Sequence, residues 1–182
     1  MSKKVIVFLA EGFEEIEAIT PIDILRRAEC DVTIVSITDS LTVTGAHGIR
    51  LIADAHFNDM NSSNSDVIFL PGGMPGSLHL NEHNGVKTVV KKQVETGKYV
   101  AAICAAPLVL GGLGLLQNKQ ATCYPGHEST LIGAKITNQQ CVIDGNIITA
   151  NGPGAAAILG FTLVTILQGN AIAEQWKKGM MF

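Results

Sequence analysis

Cys104 stands where an apolar run, Tyr99-Val-Ala-Ala-Ile103, gives way to Ala105-Ala106-Pro107 and a second apolar stretch. The first run reads as a buried strand and the second as a helix with a proline in its first turn. A thiol at such a junction faces the positive end of a helix dipole, which favours the thiolate. The tight strand-to-helix turn also presents the sulfur outward, as in a nucleophile elbow, and Ala105 and Ala106 leave room for a reacting group. By position alone the alternative is a buried cysteine that packs as a small hydrophobe. Cys30, Cys123 and Cys141 lack a comparable setting and read as structural. None of the four sits in a C-x-x-C pair, so neither zinc nor a thioredoxin-type couple is indicated, and free thiols are expected.

Glu17 is the second candidate. It lies three residues after Glu14, so the two share a helix face while Glu15 points elsewhere. Glu14 and Glu15 are explained by the helix dipole. A carboxyl turned into a cleft near a thiol would have its pKa raised and could donate to a thiolate or shuttle protons. The alternative is a solvated first-turn glutamate. Pro71-Gly72-Gly73 carries neither a G-x-x-x-x-G-K nor a G-x-G-x-x-G pattern. Its glycines could let backbone N–H groups approach a developing oxyanion, or they form a plain turn. His79 and His83 are spaced i, i+4 but have no third ligand in a recognisable pattern, so they read as surface histidines and no metal site is expected. His47 and His56 carry no signal. His127, in Tyr124-Pro-Gly-His127, is the one histidine to consider near the site.

The elements that must position these residues follow from hydrophobic periodicity. Lys4 to Ala10, Val32 to Ile37, Asp66 to Leu70 and Tyr99 to Ile103 read as strands, and Ala121 to Tyr124 as a further short one. Glu14 to Ala28 reads as a helix that Pro21 should kink or divide. A polar helix is expected from Asn84 to Glu95, and one long final helix after Gly152-Pro-Gly154. Leu41 to Val43 with Ile49 to Ile52 predicts one hairpin. Cys141 to Ile143 with Asn146 to Ala150, joined at Asp144-Gly145, predicts another. Strands alternating with helices imply an α/β, doubly wound, mostly parallel sheet over a single domain spanning 1–182. In such folds the site lies beyond the carboxyl ends of the strands. The segments Glu11 to Glu17, Leu70 to Gly73 and Ile103 to Ala105 all fall there.

Composition narrows the function. Lys and Arg number 13 against 16 Asp and Glu, a net charge of −3, which gives no electrostatic case for nucleic acid or anionic membranes. Aromatic residues make up 5%, too few for base-stacking platforms. No apolar run approaches the roughly 20 residues needed to span a bilayer. Met-Ser-Lys-Lys leads straight into a strand without a small-residue cleavage site, so a cytoplasmic protein is expected.

Four motifs in this order, Ala10-Glu-Gly-Phe-Glu-Glu-Ile-Glu17, Leu70-Pro-Gly-Gly73, Ala101-Ala-Ile-Cys-Ala-Ala-Pro107 and Gly152-Pro-Gly154, resemble the ThiJ/PfpI superfamily. The likeness is to the branch of the parkinsonism-associated protein DJ-one and bacterial YajL, and it covers essentially the whole chain. It implies a flavodoxin-like sandwich and a homodimer built partly on the first helix. It implies that Cys104 is an oxidation-prone nucleophile, that Glu17 is its protonated partner, and that Gly73 and Ala105, with Gly72 nearby, present backbone N–H groups to the sulfur.

Two departures stand out. Ala105 follows the cysteine where the protease and amidase branch has histidine, which weakens a peptidase reading. Tyr124 stands where the human member has a histidine, so Tyr124 either only packs or leaves that role to Glu17 or His127. The resemblance implies a cofactor-free, cysteine-dependent glyoxalase or protein deglycase acting on methylglyoxal or early glycation adducts. The competing reading is a redox sensor or chaperone that works through oxidation of Cys104. A thiazole-biosynthesis role finds little support, because no phosphate-cradling or metal motif is present.

Overall fold

In the computed structural model, which describes residues 2–182, β1 (Lys4–Leu9) leads into α1 (Glu15–Arg27) and β2 (Asp31–Ser36). The hairpin β3 (Thr42–Thr44) and β4 (Arg50–Ile52) precedes the short β5 (Ala55–His56) and then β6 (Val67–Leu70). Helices α2 (Gly76–Glu82) and α3 (Asn84–Glu95) lead to β7 (Tyr99–Ile103), followed by α4 (Pro107–Gly112). Two-residue strands β8 (Gln120–Ala121) and β9 (Lys135–Ile136) pair with each other. The hairpin β10 (Cys141–Asp144) and β11 (Ile147–Ala150) is followed by α5 (Ala156–Gln168) and α6 (Asn170–Gly179).

The main sheet has seven strands in the order β10-β11-β7-β6-β1-β2-β5, all parallel except β10. This is the expected flavodoxin-like, doubly wound sheet flanked by helices. The central strands are covered on both faces, which is why Val5 to Leu9, Val67 to Leu70 and Val100 to Ile103 are apolar at consecutive positions and buried throughout. On the flanks α1 packs against α5 and α5 against α6, while α2 packs against α3 and α4.

Register decides what meets at the carboxyl edge. Val5 pairs with Val67, Leu70 with Ala102, and Ile103 with Ala150. The residues that leave β1, β6, β7 and β11 therefore emerge side by side, and those are the segments that carry Glu17, Gly72, Cys104 and Gly152.

Several expectations need correction. Pro21 does not divide α1: the helix is one span from Glu15 to Arg27 with Pro21 buried inside it. The final helix is two, divided at Gly169, whose φ of 93° is left-handed backbone. Its apolar α5 half packs on α1, and its more polar half forms α6. The segment Ala121 to Tyr124 contributes only its first residue to a strand. Helix α2 and strands β5 and β9 were not legible in the periodicity, being seven, two and two residues long.

Candidate active site

Strand β7 ends in the residue that carries the thiol. Cys104 has φ of 64°, a left-handed conformation that a non-glycine residue adopts only where the surroundings impose it. Both of its backbone groups are held: its N–H donates to Ala150 O at 2.8 Å and its C=O accepts from Tyr124 N–H at 2.9 Å. The elbow thus hangs between the exit of β11 and the loop after β8. Its side chain is almost closed off, at 9% exposure.

Glu17 comes up from α1 beneath it. The first turn of α1 is fixed to the β6 exit by Glu14 N–H, which donates to Gly72 O at 2.9 Å. Glu17 is fully buried, and among the described residues neither of its carboxyl oxygens has a hydrogen-bond partner of good geometry. The polar groups near it are the Cys104 thiol and the Gly72 N–H. Gly72 lies between the two: a Cβ there would overlap the Glu17 carboxyl and stand 2.6 Å from the Cys104 Cβ. Only glycine lets the acid and the thiol approach across it. Gly73, at φ 96°, turns the chain so that its N–H, like that of Ala105, reaches the Cys104 sulfur.

The electrostatics follow from burial. Desolvation pushes the Glu17 carboxyl up to about 7, helped by the Glu14 charge and opposed by its interactions with Cys104 and Gly72. Burial also pushes the Cys104 thiol up to about 12, reinforced by the charge and hydrogen bond of Glu17 and opposed by the Gly73 and Ala105 N–H groups. Helix α4 begins only at Pro107 and spans six residues, so the expected dipole is that of a short helix, and burial still carries the thiol upward. Burial acts on Cys104 first and its carboxyl neighbour second. Above about 7 the pair retains one proton, with either a carboxylate facing a thiol or a carboxylic acid facing a thiolate. One proton hop interconverts them, and the two N–H groups favour the thiolate form.

The other residues singled out in the sequence divide clearly. Tyr124 is 47% exposed, and its ring packs on Gly152, where a Cβ would meet it at 3.1 Å. His127 stands edge-on to Tyr124, ring centres 6.5 Å apart, rather than against the thiol. His79 donates from Nδ1 to Glu11 O at 3.0 Å. His83 accepts from Val86 N–H at 3.1 Å and so caps α3. Their helical spacing thus serves two separate structural contacts. All four cysteines are free, and burial raises Cys30, Cys123 and Cys141 as it does Cys104.

Glu15 and His47 were missed. Glu15 is not explained by the helix dipole. It is buried and accepts from His47 N–H at 2.8 Å, from Ile49 N–H at 3.3 Å and from the His47 ring at 2.9 Å. Nothing in a lone histidine within a glycine-rich hairpin signalled this pairing, which depends on where the hairpin docks.

A flavodoxin-like sheet with a strained strand-end cysteine, faced by a buried carboxyl across a glycine, defines an α/β protein of the cysteine-elbow class. Residues 3–166 match the DJ-1/PfpI family, and the chain belongs to it. It is 42% identical to protein DJ-1 homolog B of Arabidopsis thaliana over 96% of its own length and 40% of that protein's. The chain thus spans less than half the length of that relative. It is 32% identical to a deglycase of Pyrococcus abyssi, covering 83% of this chain and 91% of that one. The structure of oxidized Toxoplasma gondii DJ-1 superposes with a TM-score of 0.95 at 31% identity, covering 100% of this chain and 99% of that one. Among the described residues no helix is long and apolar enough to cross a membrane.

Proposed function

We propose that this protein is a cofactor-free glyoxalase or deglycase that acts through Cys104 on methylglyoxal or on early glycation adducts. The observation that carries the reading is the Cys104–Glu17 pair: a thiol in a left-handed elbow and an unpartnered buried carboxyl, separated only by Gly72. The deglycase name of the Pyrococcus relative points the same way.

The chemistry closes on these groups. With the shared proton on Glu17, the Cys104 thiolate adds to the aldehyde carbon, and Glu17 passes its proton to the new alkoxide, giving a hemithioacetal. The N–H groups of Gly73 and Ala105, which face the sulfur, would stabilise the thiolate before it adds. Glu17, now a carboxylate, takes the proton from the former aldehyde carbon and returns it to the adjacent carbon, while the hydroxyl proton of the hemithioacetal passes to the neighbouring oxygen, which leaves a lactoyl thioester. Glu17 then deprotonates a water that attacks the thioester carbonyl. The C–S bond breaks, lactic acid leaves, and the thiolate–acid pair is regenerated. On a glycated amine the same thiolate would attack the carbon bearing the nitrogen, the C–N bond would break, and the amine would leave with the proton from Glu17, giving the same hemithioacetal.

A second reading, redox sensing through oxidation of Cys104, uses the same N–H donors to hold a sulfinate, with a protonated Glu17 donating to it. The Toxoplasma gondii DJ-1 structure is of the oxidized protein, which supports this reading. As to assembly, we infer a homodimer built partly on α1, which leaves Ile16 54% and Ile19 37% exposed.

The test is lactate formation from methylglyoxal with chelator present and nucleophilic buffers excluded. Cys104→Ser is expected to lower turnover on the order of a thousandfold or more, the scale of losing a covalent nucleophile. Full metal-free turnover in that variant would sink the enzymatic reading. A native protein without turnover, whose Cys104 is selectively oxidised by peroxide, would shift the assignment to redox sensing.

A further inference from the structure

Beside the reacting pair lies a second cluster of titratable groups. Glu15, 4% exposed, is gripped by the hairpin through the N–H groups of His47 and Ile49 and the His47 ring. Gly45 packs so closely that a Cβ there would overlap the Glu15 carboxylate. The same His47 Nδ1 also stands 3.5 Å from Glu14 Oε2. One imidazole therefore serves two carboxylates.

The charge states follow from these contacts. Burial alone would raise Glu15, but the His47 ring and the N–H groups of Glu15, His47 and Ile49 outweigh it and hold the carboxyl below its ordinary value. The hydrogen bond that His47 donates to Glu15, then the charges of Glu14 and Glu15, hold His47 above its ordinary value. Two other charged residues lie on the elements packed here. Glu11 accepts from Thr44 N–H at 3.1 Å, and Arg50 is exposed opposite Thr44 in the hairpin.

Glu14 is where this cluster meets the site. Its N–H holds Gly72 O at 2.9 Å, and a Cβ on Gly73 would overlap its backbone nitrogen. It lies one helical turn from Glu17, close enough for its charge to bear on that carboxyl.

We propose that His47 is a positioning residue for the Cys104–Glu17 pair: its imidazolium compensates Glu14 and clamps the hairpin onto the start of α1, so that Glu17 does not face a second uncompensated carboxylate. This rests on the reading of Cys104 and Glu17 as the reacting pair. The His47 side chain is 69% exposed, so replacing it leaves the core intact.

The experiment is the pH dependence of Cys104 alkylation by iodoacetamide, followed by mass spectrometry of the Cys104 peptide. It is run on the native protein, His47→Ala, His47→Lys, His47→Ala with Glu14→Gln, and Glu17→Gln. His47→Ala is expected to move the midpoint up by roughly half a pH unit, or about threefold in rate below the midpoint, the scale of one partly screened charge a helical turn away. His47→Lys should keep the native midpoint, and Glu14→Gln should restore it in the alanine background. A purely structural role would give a shift that persists in both rescuing variants. That result, or no shift in His47→Ala, would overturn the proposal. If Glu17→Gln also left the profile unchanged, the pair itself would be wrong, which separates the two failures.

Discussion

Glu15 and Glu17 leave the same turn of α1 two residues apart, and both are buried, yet the protein treats them in opposite ways. Glu15 is held by two backbone N–H groups and an imidazole and stays below its ordinary range. Glu17 has no well-formed partner among the described residues and is pushed up to about 7. Desolvation is the largest influence on each, but Glu17 lies deeper in the molecule and is raised by it, whereas at Glu15 the donors outweigh it. What sets the two further apart is whether the chain spends backbone donors on the charge. At Glu15 it spends a hairpin, and the product is an anchored loop. At Glu17 the nearby N–H groups of Gly73 and Ala105 are aimed instead at the Cys104 sulfur, and the product is a carboxyl free to carry a proton.

The contrast is broken most forcefully at Glu17. Because its folded pKa lies above the ordinary 4.5, the folded state binds more protons between those values, and stability falls as pH rises through that window. Glu17→Gln should remove this dependence and leave the variant more stable than native above pH 7, by up to roughly 3 kcal/mol, while differing little at pH 4. Urea unfolding at the two pH values checks it. Gly72→Ala attacks the space between the acid and the thiol. Its Cβ would meet the Ile103 carbonyl and the Cys104 Cβ as well as Glu17, so a stability loss of roughly 2–3 kcal/mol is expected in the same unfolding assay.

Glu15→Gln should give a smaller effect of opposite pH sense. The depressed carboxyl contributes stability above its unfolded value of 4.5, and that contribution is lost as pH falls through the lower folded value. Thermal unfolding should show a loss of roughly 1–2 kcal/mol at pH 7, shrinking in acid. If Glu15→Gln and Glu17→Gln moved stability in the same direction at pH 8, the contrast would fail.

How much of this was legible in the sequence depended on whether the signal was local. The Cys104 elbow was, because a buried strand ending in small residues is written in five or six neighbours. So were both hairpins, through Asp144-Gly145 and the glycine-rich Thr44 to Gly48. Glu17 was only half legible. Helical spacing put it on a face with Glu14, but whether that face met water or the thiol depended on the register of β6 and β7. Glu15 and His47 were illegible, since their contact spans 32 residues and exists only once the hairpin docks on α1. Pro21 misled because local chemistry argued for a break, whereas packing of α1 on α5 holds one helix. Gly169 misled in the other direction, since apolar sequence ran up to it and the turn at φ 93° lay in one residue.

The most direct test of the shared-proton pair is the pH dependence of kcat/KM for lactate formation from methylglyoxal, native protein against Glu17→Gln. The native profile is expected to rise through about 7 as the pair drops to one proton. Glu17→Gln should lose that rise and fall on the order of a hundredfold or more in rate, the scale of removing a positioned acid–base. Superimposable profiles, with turnover undiminished in Glu17→Gln, would contradict the assignment.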